Sequence, residues 1–348
     1  MLSEEALPRL PRTTLPPEDL DVLADLAADG QVSEEAVEAA VGEVDEDAAE
    51  PTAGADSEEA VGAGARVEGQ PRAGDEVTAA VAPRPADAVR AALARAGGRA
   101  GPSAAEAARG AELLVLMVVN SAQAEAVLFE AGALAAMAPG GIVVLMATCA
   151  PAAVQAIAAP VLASGRRFVD APVSGGVKGA TTGTLTIMAA APDATFEAAR
   201  PVLTALGDKL FRLGEAPGQG AMAKVVNQLL AGVHIAAAAE ALSFAEVAGL
   251  DAATMLEIVG GSAAGSWMLR DRGPRMLEST PAVASAVDIF VKDLGLVLEA
   301  GRAAKAATPL AALAHQMFLT ASARGEGGAD DSQVIGSWRA LNGRPGKE

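Results

Sequence analysis

The 348-residue chain has no tyrosine, two tryptophans, two histidines (His234 and His315) and a single cysteine, Cys149. One cysteine excludes an intramolecular disulfide and any multi-cysteine metal centre, and it fits a reducing, cytoplasmic setting. Two histidines are too few for a His-rich metal site, and no Ser-His-Asp arrangement is suggested. Long apolar runs are also scarce. The most apolar segment, residues 221–242, is interrupted by Lys224, Asn227, Gln228, His234 and Glu240. Such a segment suits a buried helix better than a membrane span, so no membrane partner is expected. The opening residues MLSEEALPRLPRTTLPPEDL lack the apolar core of a secretory signal.

Acidic residues and small residues are abundant. The net charge of −18 is unevenly placed: residues 1–60 hold 18 Asp/Glu and 2 Arg, and the other 288 residues hold 26 acidic and 24 basic groups. Residues 1–60 therefore read as an acidic, disordered tail, and neither part has the basic excess that a nucleic-acid partner needs. From about residue 73 the pattern alternates strand and helix. Strands are expected near residues 76–81, 112–119, 141–147, 167–173 and 184–189. Helices are expected at 85–96, 122–136 and 150–164. The continuous apolar runs ELLVLMVV and GIVVLMA suit buried parallel strands, and repeated βα units imply a parallel sheet covered on both faces. After residue 214 strand signals stop, and helices are expected at 219–249, 252–259, 281–305, 309–323 and 331–341. The chain thus divides into a tail (1–60), a Rossmann-like α/β domain (61–214) and an all-α domain (215–342).

Three segments carry chemistry. In DAPVSGG, at a strand end, Ser174, Gly175 and Gly176 could cradle a carboxylate with free amides, or could simply make a tight turn. In GQGAMAKVVNQ, Lys224, Asn227 and Gln228 stand at i, i+3 and i+4 on one helical face. The stripe either faces a cavity, where desolvation would lower the lysine pKa towards that of a useful acid/base group, or is a solvated stripe on a buried helix. In FVKDLGL, Lys292 and Asp293 form either an exposed charged pair or a cofactor-side contact.

Together, DAPVSGGVKGATTGTLTIMAA, KVVNQLLAGVHIAAAAEAL and VDIFVKDLGLV resemble, in order and spacing, the β-hydroxyacid dehydrogenases, the family of 3-hydroxyisobutyrate dehydrogenase. The resemblance spans about residues 73–341. Segments 114–123, 228–237, 263–268, 286–297 and 330–335 resemble its L-threonate dehydrogenase branch. The resemblance implies a Rossmann-like domain followed by an all-helical domain of the 6-phosphogluconate dehydrogenase C-terminal type. It also implies NAD as cofactor, with NADP as the alternative, a small hydroxy-acid substrate, and a homodimer or homotetramer. It makes Lys224 the catalytic lysine, Ser174, Gly175 and Gly176 the substrate-carboxylate loop, and Asn227 and Gln228 substrate-orienting amides. Asn120, Thr148 and Lys292 become cofactor contacts.

The phosphate loop departs from the family. A strand, GxGxxG and a helix should open the domain; VGAGARVEGQP offers only Gly62 and Gly64, with Val67 in place of the third glycine and Pro71 inside the expected helix. Val81 replaces the acidic residue that reads an NAD ribose, with Arg84 close behind. Three accounts compete: a dehydrogenase with an altered nucleotide site, an inactive relative that acts as a binding module through its acidic tail, and a chain whose start was altered upstream of Arg72.

Overall fold

A computed structural model describes residues 86–343. Gly62 and Gly64, the expected strand at 76–81 and the acidic tail lie outside the described residues. The described residues belong to one compact unit. Its first half runs α1 (Ala86–Arg95), α2 (Ala104–Ala108), β1 (Leu113–Leu116), α3 (Ser121–Glu125), α4 (Ala133–Ala136), β2 (Ile142–Leu145), α5 (Pro151–Ala163), β3 (Arg167–Asp170), β4 (Val173–Ser174), α6 (Gly176–Thr182), β5 (Thr186–Ala190), α7 (Asp193–Leu206) and β6 (Lys209–Gly214).

The apolar runs become the sheet's centre. β1, β2 and β3 pair in parallel, with Val144 opposite both Val115 and Val169. β2 is buried at every residue, as a strand covered on both faces must be. Leu128, Val154, Ile157 and Val161 pack on Val143 and Leu145 on one face. Phe196, Ala199 and Leu203 of α7 pack with Val144, Val169 and Ile187 on the other.

The parallel-rich sheet contains one reversal. β5 pairs antiparallel with β3 at Asp170 and Ala190 and with β4, and parallel with β6. Residues 167–173, expected as one strand, break after Asp170: Pro172 has no amide for the ladder, and Gly175 (φ +133°) and Gly176 (φ +61°) turn the chain back. The helix expected at 122–136 splits into α3, a π-helical turn (Ala126–Glu130) and α4, because Gly132 takes φ +76°. β6 was not anticipated. It has exposed side chains such as Phe211 and Leu213, which blur the burial period that identifies a strand.

The second half is α8 (Gln219–Val247), α9 (Ala252–Gly260), α10 (Trp267–Leu277), α11 (Val287–Ala303), α12 (Pro309–Ala321) and α13 (Ile335–Leu341). α10 was also unanticipated, since its Gly273–Pro274 pair reads as a breaker. α11 begins at Val287, six residues later than expected, because Ala286 is extended and bridges Asp330. α8 is long and apolar enough to cross a membrane by length and composition, but half of that window is buried inside the protein. Ile235, Ala239 and Leu242 of α8 share a core with Phe290, Leu294 and Phe318. The Phe290 and Phe318 rings stack 5.2 Å apart. Asp331 accepts two hydrogen bonds from Arg272 (3.1 and 3.0 Å) and Asp330 one from Arg275 (3.0 Å), tying α10 to the turn that opens α13.

Small residues let α11 approach α8 closely. A Cβ on Gly232 would lie 2.7 Å from Cδ2 of the fully buried Leu294. Gly232→Val is therefore expected to overpack this crossing and cost about 1–3 kcal/mol. Urea unfolding checks this: an unchanged midpoint would show that the crossing has slack.

Candidate active site

The site is built where α8 starts. Gly218, the residue before the helix, takes φ +95°. Gly220 lies so close to the sheet that a Cβ there would sit 2.5 Å from the Met188 carbonyl oxygen and 2.7 Å from that of Asp170. Asp170, at the carboxyl end of β3, is buried, and its Oδ2 accepts hydrogen bonds from the amides of Gly218 and Ala221, each at 2.9 Å. Burial pushes its pKa up to about 6, against the pull of the amides of Ala221, Gly218 and Gly220. The two glycines of GQGAMAK and the aspartate of DAPVSGG thus make one joint between sheet and helix.

One turn further on stands Lys224, 7 % exposed. Among the described residues it forms no hydrogen bond or ion pair. Burial lowers its pKa to about 8; the charge of Asp293 opposes that shift and the charge of Lys292 adds to it. Gln228, on the same face, is also buried, so the solvated-stripe reading fails. Gln228 donates through Nε2 to Asp293 Oδ2. Asn227 Nδ2 donates to Gln228 Oε1 (2.8 Å).

Asp293 is 3 % exposed, so Lys292 and Asp293 are not a surface pair. Lys292 Nζ donates to Asp293 Oδ1 (2.7 Å) and to the Thr148 carbonyl (3.3 Å). A continuous polar chain therefore runs from Thr148, just beyond β2, through Lys292, Asp293 and Gln228 to Asn227. Asn120, beyond β1, caps α3 by accepting from the Gln123 amide (2.9 Å). Ser174 ends β4, opposite Thr186. Among the described residues the amides of Gly175 and Gly176 have no partner and no hydrogen bond joins this turn to Lys224. Cys149, beside Thr148, is buried and its thiol is pushed up to about 11, mainly by desolvation, which leaves it inert as a nucleophile.

Asp170 and Asp293 were missed as site residues. Asp170 was overshadowed by the SGG that follows it, and Asp293 carried a signal only as the neighbour of Lys292. Asn120 and Thr148 follow the carboxyl ends of two parallel strands, where open α/β sheets take ligands. A buried amine without a hydrogen-bond or ion-pair partner is unexplained by packing, and hydride-transfer chemistry calls for such a group. The described residues fit a nicotinamide cofactor.

Comparison with known proteins agrees. Residues 71–214 match the NAD binding domain of 6-phosphogluconate dehydrogenase, and residues 218–338 the NAD-binding domain of NADP-dependent 3-hydroxyisobutyrate dehydrogenase. The chain is 46 % identical over 243 residues to an L-threonate dehydrogenase of Cupriavidus necator, covering 70 % of this chain and 82 % of that one. It is 43 % identical over 234 residues to an L-threonate dehydrogenase of Escherichia coli K12, covering 67 % and 78 %. A crystal structure of a 3-hydroxyisobutyrate dehydrogenase from Salmonella typhimurium superimposes with a TM-score of 0.68 at 43 % identity, covering 71 % and 87 %. Fold and similarity together define an NAD(P)-dependent hydroxyacid dehydrogenase. The chain belongs to the 3-hydroxyisobutyrate dehydrogenase-like family of β-hydroxyacid dehydrogenases.

The lowered Lys224 pKa has a consequence for stability. Below pH 8 the folded protein buries a charged ammonium at a cost. Between about 8 and the ordinary 10.5 the folded state has lost this proton while the unfolded state keeps it, so stability rises with pH there. Lys224→Met is expected to be more stable than the parent at pH 7 by up to about 3 kcal/mol, a gain that shrinks by pH 10. Paired urea titrations at the two pH values measure it; a pH-independent difference would contradict a buried, titrating amine.

Proposed function

We propose that the protein oxidises a small hydroxy sugar acid, L-threonate, to its 2-oxo acid, with Lys224 as general acid/base. The unpartnered, desolvated Lys224 amine carries this reading. When bound, NAD(P)⁺ supplies the hydride acceptor. The neutral Lys224 amine takes the proton of the substrate hydroxyl as that carbon gives up its hydride, and the same group returns the proton in reduction. A lysine pKa near 8 keeps both forms available close to neutral pH.

In this reading the free amides of Gly175 and Gly176, with the Ser174 hydroxyl, receive the substrate carboxylate, and Asn227 and Gln228 orient its hydroxyls. Lys292, Thr148 and Asn120 face the cofactor side, with Asp293 holding Lys292 and Gln228 in register. The α/β half up to residue 214 is the cofactor domain, and residues 215–342 are the substrate and assembly domain; Gly62 and Gly64 lie outside the described residues. The similarity to L-threonate dehydrogenases in the two bacteria favours this substrate.

Lys224→Ala is expected to lower kcat/KM for L-threonate about 10²- to 10⁴-fold while NADH still quenches protein fluorescence. A variant with full turnover would sink the lysine's role. Parallel assays with erythronate and glycerate test the substrate: either one outperforming L-threonate would reassign it.

We also propose a homo-oligomer in which a second copy covers the back of α8. Met222, Val226, Leu230, Ala237 and Phe244 recur at helical spacing on the face away from Lys224 and are exposed, Phe244 by 69 %. The stripe is about 33 Å long at 1.5 Å per residue, long enough to anchor a patch of roughly 800 Å² per partner. Light scattering is expected to show a dimer or tetramer that Leu230→Glu/Phe244→Glu dissociates. A monomeric parent protein would refute it.

A further inference from the structure

Asp170 does more than end a strand. We propose that it is a positioning residue for Lys224, its carboxylate fixing the start of α8 on the carboxyl end of β3 so that the amine is held in the site. This inference rests on Lys224 being the acid/base group.

The first amides of a helix have no intrahelical acceptor. Here two of them, from Gly218 and Ala221, converge on one buried oxygen, Asp170 Oδ2, at 2.9 Å each. Among the described residues no other side chain of the sheet bonds to this first turn. The contact is too tight for any side chain at position 220, since a Cβ would strike the carbonyl oxygens of Met188 and Asp170. Lys224 follows Gly220 by four residues and therefore projects from the same helical face. The face that the carboxylate draws onto β3 and β5 is thus the face that buries the amine. A helix of 29 residues is stiff, so a shift at its first turn is carried to Lys224 one turn later. If the joint is loosened, water reaches the amine and its proton affinity returns towards that of an ordinary lysine.

A merely structural carboxylate would affect melting without touching the chemistry. The test uses the full chain and four variants: Asp170→Ala, Asp170→Asn, Gly220→Ala and Lys224→Ala. For each, kcat, KM, the NADH dissociation constant and Tm are measured. In parallel, NMR of the reductively ¹³C-methylated protein follows the Lys224 titration, with the Lys224→Ala spectrum assigning the resonance. Asp170→Ala is expected to lower kcat at least tenfold, to change KM and NADH affinity less than threefold, and to raise the Lys224 midpoint by about one unit. Asp170→Asn keeps an acceptor oxygen for the amides and is expected to recover kcat to within threefold of the parent. Gly220→Ala is expected to share the loss of kcat, and it serves alone if Asp170→Ala does not fold. Parent-like kcat and an unmoved Lys224 midpoint in Asp170→Ala, or in Gly220→Ala where only that variant folds, overturn the proposal whatever happens to Tm. Full turnover in Lys224→Ala instead defeats the catalytic reading itself, and the titration midpoint still decides whether Asp170 places the amine.

Discussion

The joint between Asp170 and the first turn of α8 is the constraint on which the rest of the site depends. A carboxylate at a helix N-terminus satisfies orphan amides and complements the helix dipole, an arrangement usually worth about 0.5–2 kcal/mol. The same carboxylate joins the last residue of a central strand to the longest helix among the described residues. Gly218 and Gly220 make the joint possible, one by its backbone angle and the other by leaving room. Every polar side chain that α8 brings to the site is placed relative to this fixed point.

Beyond the joint, the site is a problem in arranging a few buried charges. Lys224, Lys292 and Asp293 lie in one region, and the single carboxylate is already engaged on both oxygens. One accepts from Lys292 and the other from Gln228. Lys224 is therefore left without a direct partner, and burial controls its proton affinity. Had Asp293 turned to Lys224, its charge would hold the amine protonated to higher pH and oppose the lowering by burial. Gln228 and Lys292, by occupying Asp293, leave the Lys224 amine without a direct counter-ion.

Much of this was legible in the sequence, for identifiable reasons. Apolar runs with no polar interruption made β1 and β2 readable, and the polar stripe inside an apolar helix drew attention to Lys224. The motifs DAPVSGG and FVKDLGL made the family readable. Other features depend on tertiary contacts that no local pattern carries. The reversal of β5 follows from Pro172 and two glycines acting together. β6 is an edge strand with exposed apolar side chains, and α10 runs through a Gly–Pro pair. Asp170 and Asp293 gain their meaning from partners 48 and 65 residues distant, a separation over which spacing arguments have no force. Gly62 and Gly64, the glycines expected to open a nucleotide loop, lie outside the described residues and ahead of the segment that matches the family.

The sharing of Asp293 also sets a charge balance. With Lys224 protonated, the three groups sum to one positive charge; with Lys224 neutral, they sum to zero. In the proposed reaction an arriving hydroxy-acid anion is attracted to the protonated form, but oxidation begins from the neutral one. Anion binding and proton release therefore pull in opposite directions. In the proposed reaction, the captured anion would raise the proton affinity of the amine that acts on it, and the keto acid, an anion too, would leave more readily once that amine has returned its proton to solvent.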